Sequence, residues 1–234
     1  MMLSIIIPIY NEEKNLPTQL TFLQGKAKQL PIEIVISNSP DTTDKSPSIC
    51  KQFSRVKFFE SDTKGRAIQM NYGASKATGD ILLFLHADVK LPDDFYEQVT
   101  QAIMEGHKMG FFSYKFDRST FMLNVNSYFT KNDGVFAGAG DQCQFFTKET
   151  FEKLGRYNEE FCIMEDFEMM DKVRKQNIPY TIVQSKATVS ARKYNKASWL
   201  EVNAINGYVF LLYKLGKKPR KLREVYKGLL RESV

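Results

Sequence analysis

No stretch of this 234-residue chain approaches the roughly 18 to 20 uninterrupted apolar residues that a membrane-spanning helix needs, so the sequence predicts none. Cysteine is scarce. Cys50, Cys143 and Cys162 are an odd, scattered set without a C-x-x-C, which excludes a disulfide scaffold or a metal finger and predicts a reducing, cytoplasmic setting. No basic leader with a small-residue cleavage site precedes the first strand-like run, and neither a G-x-x-x-x-G-K-[ST] phosphate loop nor a G-x-S-x-G elbow occurs. Glycine (13) and proline (8) are ordinary, which leaves no room for collagen-like or largely disordered chains.

With 43% hydrophobic residues, the chain can bury about 70% of its unfolded surface in one domain. The net charge of +6 is unevenly spread: residues 214–234 alone hold eight basic and two acidic side chains, so the remainder is formally neutral. A neutral body argues against nucleic-acid binding, which needs a basic face within the fold.

Periodicity orders the first half. Leu3 to Ile9 is a near-continuous apolar run, the pattern of a strand buried on both faces. Asn11 is a candidate helix cap, with Leu16, Leu20 and Leu23 on one helical face behind it. Glu33 to Ser37 and Val56 to Phe59 are further strands; Gly65 to Lys76 is a helix, and Ile81 to Leu85 a fourth strand. Such alternation predicts right-handed β-α-β crossovers and a mostly parallel, Rossmann-like sheet, with ligands bound beyond the carboxyl ends of its strands. The second half is more mixed: strands at Met109 to Phe116 and Gln142 to Thr147, helices at Phe121 to Phe129, Glu165 to Gln176 and Trp199 to Leu215, and a basic segment from Gly216 to Arg231.

Three groups could carry chemistry. His86 and Asp88 leave the fourth strand on the same side of an extended chain, where a carboxylate can hold a hard cation; a turn-capping Asp88 is the alternative. Glu165, Asp166 and Glu168 open a helix, where acids are favoured by the dipole alone, yet the Gly-rich stretch Gly134 to Gly140 lies shortly before them. Arg66 and Arg192 are suited to phosphate.

In order, Ser4-Ile-Ile-Ile-Pro-Ile-Tyr-Asn-Glu-Glu13, Gly65-Arg-Ala-Ile-Gln-Met-Asn71, Gly79-Asp-Ile-Leu-Leu-Phe-Leu-His-Ala-Asp88, Gly140-Asp-Gln142, Met164-Glu-Asp166 and Ser190-Ala-Arg192 resemble a family 2 glycosyltransferase over nearly the whole chain. The His-Ala-Asp form and the ending Leu211-Leu-Tyr-Lys-Leu-Gly216 are similar to the short radical-SAM/selenodomain-associated transferase subgroup. The resemblance implies a GT-A fold, a nucleotide-sugar donor, a hydroxyl acceptor and a Mn2+ or Mg2+ ion. It further implies that Pro8, Tyr10, Glu12, Asn38, Arg66, Asp88 and Arg192 line the donor site, with Asp88 and His86 toward the metal. Asp141 and Gln142 would lie near the acceptor, and Asp166, beside Glu165, would be the catalytic base of an inverting displacement. Asn38 stands where the family commonly has Asp, and His86 replaces the first Asp of D-x-D. A catalytically silent nucleotide-sugar-binding scaffold and a nucleotidyltransferase remain the competing readings.

One domain is expected: a nucleotide-sugar-binding half (1–107), an acceptor and catalytic half (108–198) and C-terminal helices (199–234). The apolar stripe Leu222, Val225, Tyr226 and Leu229 lets the basic C-terminus rest on the inner face of an anionic membrane, or pack on the domain or on a second copy of the chain.

Overall fold

The computed structural model describes residues 1–195 and 197–230. Among these, eight strands form one sheet in the order β3-β2-β1-β4-β7-β6-β8-β5. The parallel half contains β1 (Leu3–Ile9), β2 (Ile32–Asn38), β3 (Val56–Glu60) and β4 (Ile81–Phe84), with Leu3 opposite both Ile32 and Ile81. Helices α1 (Leu16–Ala27), α2 (Ser46–Cys50) and α3 (Arg66–Lys76) make the crossovers. Beyond β4 the sheet turns mixed. The short β7 (Phe145–Thr147) runs antiparallel to both β4 and β6 (Met109–Phe116); β8 (Tyr180–Val189) is parallel to β6, and the two-residue β5 (Val89–Lys90) closes the edge.

The two-residue period of β1 divides the core. Leu3, Ile5, Ile7 and Ile9 pack with Leu16, Leu20 and Leu23 of α1 and with Phe95 and Val99 of α4 (Phe95–Met104). Ile6 faces the other side, toward Ala67, Met70 and Ala74 of α3, Phe151 of α6 (Lys148–Lys153) and Met169, Met170 and Val173 of α7 (Glu165–Lys175). Phe84, Phe151 and Tyr157 are mutually packed there, Phe84 lying 4.9 Å from each of the other two rings.

Two expectations need correction. Asn11 does not cap α1: it sits at φ +54°, and its side-chain oxygen accepts from the backbone N–H of Thr43 (2.9 Å) and Asp44 (3.4 Å). The helix starts later, with Asn15 preceding it and Pro17 in its first turn. The strand expected from Gln142 shrinks to Phe145–Thr147, because Gly140–Gln142 winds into a 3-10 turn and Cys143 takes φ +50°.

The aromatic residues between Lys108 and Val135 divide. Phe111 and Phe112 are core, whereas Phe121, Tyr128 and Phe129 of α5 (Phe121–Phe129) are exposed. At the C-terminus, α8 (Trp199–Lys214) and α9 (Pro219–Leu230) pack together through Ile205, Val209, Leu222, Val225 and Tyr226, so the stripe expected to meet a membrane is largely covered by α8. Lys214 and Tyr213 hold Asp171 of α7, at 2.8 and 2.6 Å, which docks the hairpin on the domain. Arg231, counted in the basic segment, lies outside the described residues.

Candidate functional site

The carboxyl ends of β1 and β4, the N-terminus of α3 and the segment after β8 surround a cleft of about 530 Å³. β1 delivers Pro8, Ile9 and Tyr10 to it. The turn that follows is fixed by cross-links to the loop after β2: besides Asn11, the Glu12 N–H donates to Ser46 Oγ (2.8 Å) and the Glu13 N–H to Asp44 (2.9 Å). Glu12 also lines the cleft, its carboxylate accepting from Asn15 Nδ2 (2.6 Å); burial and the neighbouring Asp88 charge raise its pKa.

β4 ends at Phe84, and the exit is not the extended chain expected: the Val89 N–H donates to the His86 carbonyl (3.1 Å), closing a turn over Ala87 and Asp88 that still brings His86 and Asp88 to the cleft. Asp88 pairs with Arg192 at 3.1 Å, and His86 Nδ1 stands 3.7 Å from Asp141 Oδ1. Arg192 and Lys193 come from the short turn Arg192–Asn195. Burial opposes the charge of Asp141, yet the His86 ring, Lys193 and Arg66 together hold its carboxyl below the ordinary range. Lys193 is exposed at the rim of the cleft; partial desolvation there opposes its charge, and Asp141 overcomes it, raising that pKa.

Arg66 opens α3 and lines the cleft, and its Nε donates to the fully buried Glu165 carboxylate at the start of α7. Although burial disfavours its charge, Glu165, Asp166 and Asp141 hold the guanidinium protonated and raise its pKa. Among the described residues Glu165 Oε2 has no hydrogen-bond partner. The adjoining Asp166 is buried, and its backbone carbonyl accepts from Gln144 Nε2 (3.1 Å). Gln144 Oε1 accepts in turn from the Tyr157 hydroxyl (2.9 Å).

The residues singled out in the sequence therefore divide. Pro8, Tyr10, Glu12, Arg66, His86, Asp88, Asp141 and Arg192 meet in one cleft. Glu165 and Asp166 stand behind Arg66 and are not among the lining side chains. Asn38 is buried, its oxygen accepting from Thr42 Oγ1 (2.8 Å), and does not line the cleft. Gln142 is also buried: its oxygen accepts from the N–H of Gly138 (2.8 Å) and Ala139 (3.1 Å), and its amide donates to the carbonyls of Phe112 and Thr130 (3.3 Å each). The Gly-rich stretch brings its backbone close to α7, since a Cβ on Gly138 (φ +81°) would fall 2.5 Å from Met170 Cγ.

Gln69 was missed. Its amide donates to Ile9 O (2.9 Å) and Ser37 O (2.8 Å), pinning the ends of β1 and β2 together at the cleft wall; its place on the inner face of a helix was the only signal. Tyr226 and Leu230 of α9 form another wall, which their sequence distance from the other lining residues concealed.

Asp88 and His86 supply one carboxylate and one imidazole, and no cluster of three or more His, Cys, Asp or Glu suited to a metal occurs among the described residues. That set fits an ion that arrives with phosphate oxygens as its remaining ligands, the ordinary habit of Mg2+, and Mn2+ accepts the same oxygen donors.

A family model described as glycosyl transferase family 2 matches residues 4–173. An uncharacterized glycosyltransferase of Haemophilus influenzae is 28% identical over 218 residues, 85% of each chain. The 4,4'-diaponeurosporenoate glycosyltransferase of Staphylococcus haemolyticus is 26% identical over 215 residues, covering 82% of this chain and 56% of its own length. The chain spans 15% and 31% of two other curated relatives. A mannosyltransferase of Pyrobaculum calidifontis, solved with GDP-Man and Mn2+, superposes with a TM-score of 0.70 at 17% identity, covering 98% of this chain and 68% of that one. TarS of S. aureus in complex with UDP-GlcNAc gives 0.65 at 16% identity, covering 98% and 72%.

Proposed function

The chain belongs to glycosyl transferase family 2 and has the GT-A fold, and from that premise we propose that it moves a sugar from a nucleoside diphosphate donor to an acceptor hydroxyl with inversion at the anomeric carbon. The observation that carries the reading is the cleft at the strand ends, where Arg66, Arg192 and Lys193 face His86, Asp88 and Asp141, with Asp166 behind Arg66. In the donor half, 1–107, Pro8, Tyr10 and Glu12 border the nucleotide. Asn38, set back in the end of β2, acts on it only through the loop that Thr42 shares.

Arg192 and Lys193 neutralise charge that builds on the departing diphosphate. Mn2+ or Mg2+ held by Asp88 and His86 would add a Lewis-acid cation there when bound. Asp166, in the half spanning 108–198, takes the acceptor proton as that oxygen attacks the anomeric carbon. The bond from that carbon to the diphosphate oxygen breaks, and the nucleoside diphosphate leaves with the electron pair. A positioned base of this kind contributes about 10² to 10⁴ in rate. Glu165 holds Arg66 rather than taking the proton. Asp141 sits on the acceptor side, with Gln142 shaping its turn, and Tyr226 and Leu230 of α9 close the far wall.

The test is release of nucleoside diphosphate from UDP- and GDP-sugars, with and without Mn2+. Turnover should fall by about 10² or more in Asp166→Asn with little change in donor affinity, whereas Asp88→Ala should weaken donor binding as well when Mn2+ is present. Donor binding without release by the wild-type chain identifies a silent binder instead, and release of pyrophosphate a nucleotidyltransferase.

A further inference from the structure

With its inner side on Leu222, Val225 and Tyr226 of α9, helix α8 still presents an apolar stripe outward. Leu200, Tyr208, Leu211 and Leu215 are each between 50% and 69% exposed, and their spacing, with exposed Ala204 between them, places them on one face. α5, whose Phe121 and Phe129 are also exposed, is joined to α8 by a hydrogen bond from Asn126 to Asn203 (3.2 Å). Large apolar side chains concentrated in this way mark an interaction surface.

Charge identifies its occupant. Residues 214–230 carry seven Lys and Arg against Glu224 alone; exposed Lys217 and Lys218 follow Leu215 closely in the chain, and Arg220, Lys221 and Arg223 are exposed on α9. We infer that the outward face of α8, together with the basic segment that begins two residues after Leu215, docks this protein on an anionic lipid bilayer surface. An apolar strip beside Lys and Arg matches the acyl boundary and the phosphate headgroups together. A second copy meeting this face symmetrically would set its own cationic segment against this one. No described helix is long and apolar enough to cross a membrane, so the contact is peripheral. Tyr226 and Leu230 also line the cleft, so the docked surface and the cleft share α9. The inference does not depend on the transfer chemistry.

Sedimentation with phosphatidylcholine vesicles, with and without phosphatidylglycerol, tests it. The wild-type chain should pellet with the anionic vesicles at low salt and be largely released as screening grows. Leu211→Ser/Leu215→Ser, both solvent-facing changes, should lower the partition constant about tenfold or more with an unchanged circular dichroism spectrum. Arg220→Glu/Arg223→Glu should abolish pelleting. Wild-type protein left in the supernatant, or a leucine variant that pellets like wild type, overturns the inference. So does a concentration-dependent dimer that the leucine variant dissolves, which would assign the face to a second copy.

Discussion

Arg66 and Glu165 lie 99 positions apart and form an ion pair that joins the start of α3 to the start of α7, linking the donor and acceptor halves behind the cleft. Glu165 is buried with one oxygen unpartnered, so its charge is matched by this guanidinium alone among the hydrogen bonds described. Local helix preference would explain an acid at this position, but not its burial against a residue from the other half.

Glu165→Gln keeps the shape and removes the charge. The variant should lose about 1.5 to 3 kcal/mol of unfolding free energy, the scale of a hydrogen bond to a charged group. Arg66 would be left facing Asp166 and Asp141, so kcat should fall as well. Urea unfolding and nucleoside diphosphate release measure the two effects; an unchanged unfolding midpoint would show that the pair does not hold the halves together.

Gln142 tests whether a family motif residue contacts acceptor or builds its loop. Among the described residues its side chain bonds Gly138, Ala139, Phe112 and Thr130, so Gln142→Ala leaves buried backbone groups unpaired. A loss of about 2 to 3 kcal/mol is expected, lowering Tm by about 4 to 12 °C. A variant that melts like wild type yet no longer turns over acceptor would assign Gln142 to the substrate instead.

The parts of this site that were legible lie where a strand hands the chain to the cleft. Pro8, Tyr10 and Glu12 follow β1, and His86 and Asp88 follow β4, because continuous apolar runs fix where such strands stop. Asn11 was misread since a short polar residue suits a helix cap and a left-handed turn equally. The turn at Gly140–Gln142 was hidden because its conformation is set by the distant carbonyls of Phe112 and Thr130. Gln69 and Tyr226 act across the tertiary structure, which periodicity does not report.

Acid should expose the network around Asp141. A carboxyl whose pKa is depressed in the folded state stabilises fully above its unfolded value of 3.8, and that contribution is lost as pH falls toward the folded value. Asp141→Asn should therefore be less stable than wild type near neutrality, with the gap narrowing below about pH 4. Urea unfolding across that range measures it. A gap independent of pH would mean that His86, Lys193 and Arg66 do not stabilise the carboxylate.

Asp88 separates the electrostatic roles in the cleft most sharply. Paired with Arg192 at 3.1 Å and close enough to Glu12 to raise its pKa, its charge opposes an incoming diphosphate unless a cation offsets it. Asp88→Asn also frees Arg192, whose guanidinium can then give its full charge to phosphate. In EDTA the variant should bind a nucleoside diphosphate at least as tightly as wild type. With Mn2+ the order should reverse: wild-type affinity should rise by about tenfold or more, and the variant's should change little. Isothermal calorimetry with UDP or GDP reads both arms without turnover. Wild-type affinity unaffected by Mn2+ would leave Arg192, Lys193 and Arg66 as the cations that serve the leaving diphosphate, and Asp88 as the residue that keeps Arg192 in place.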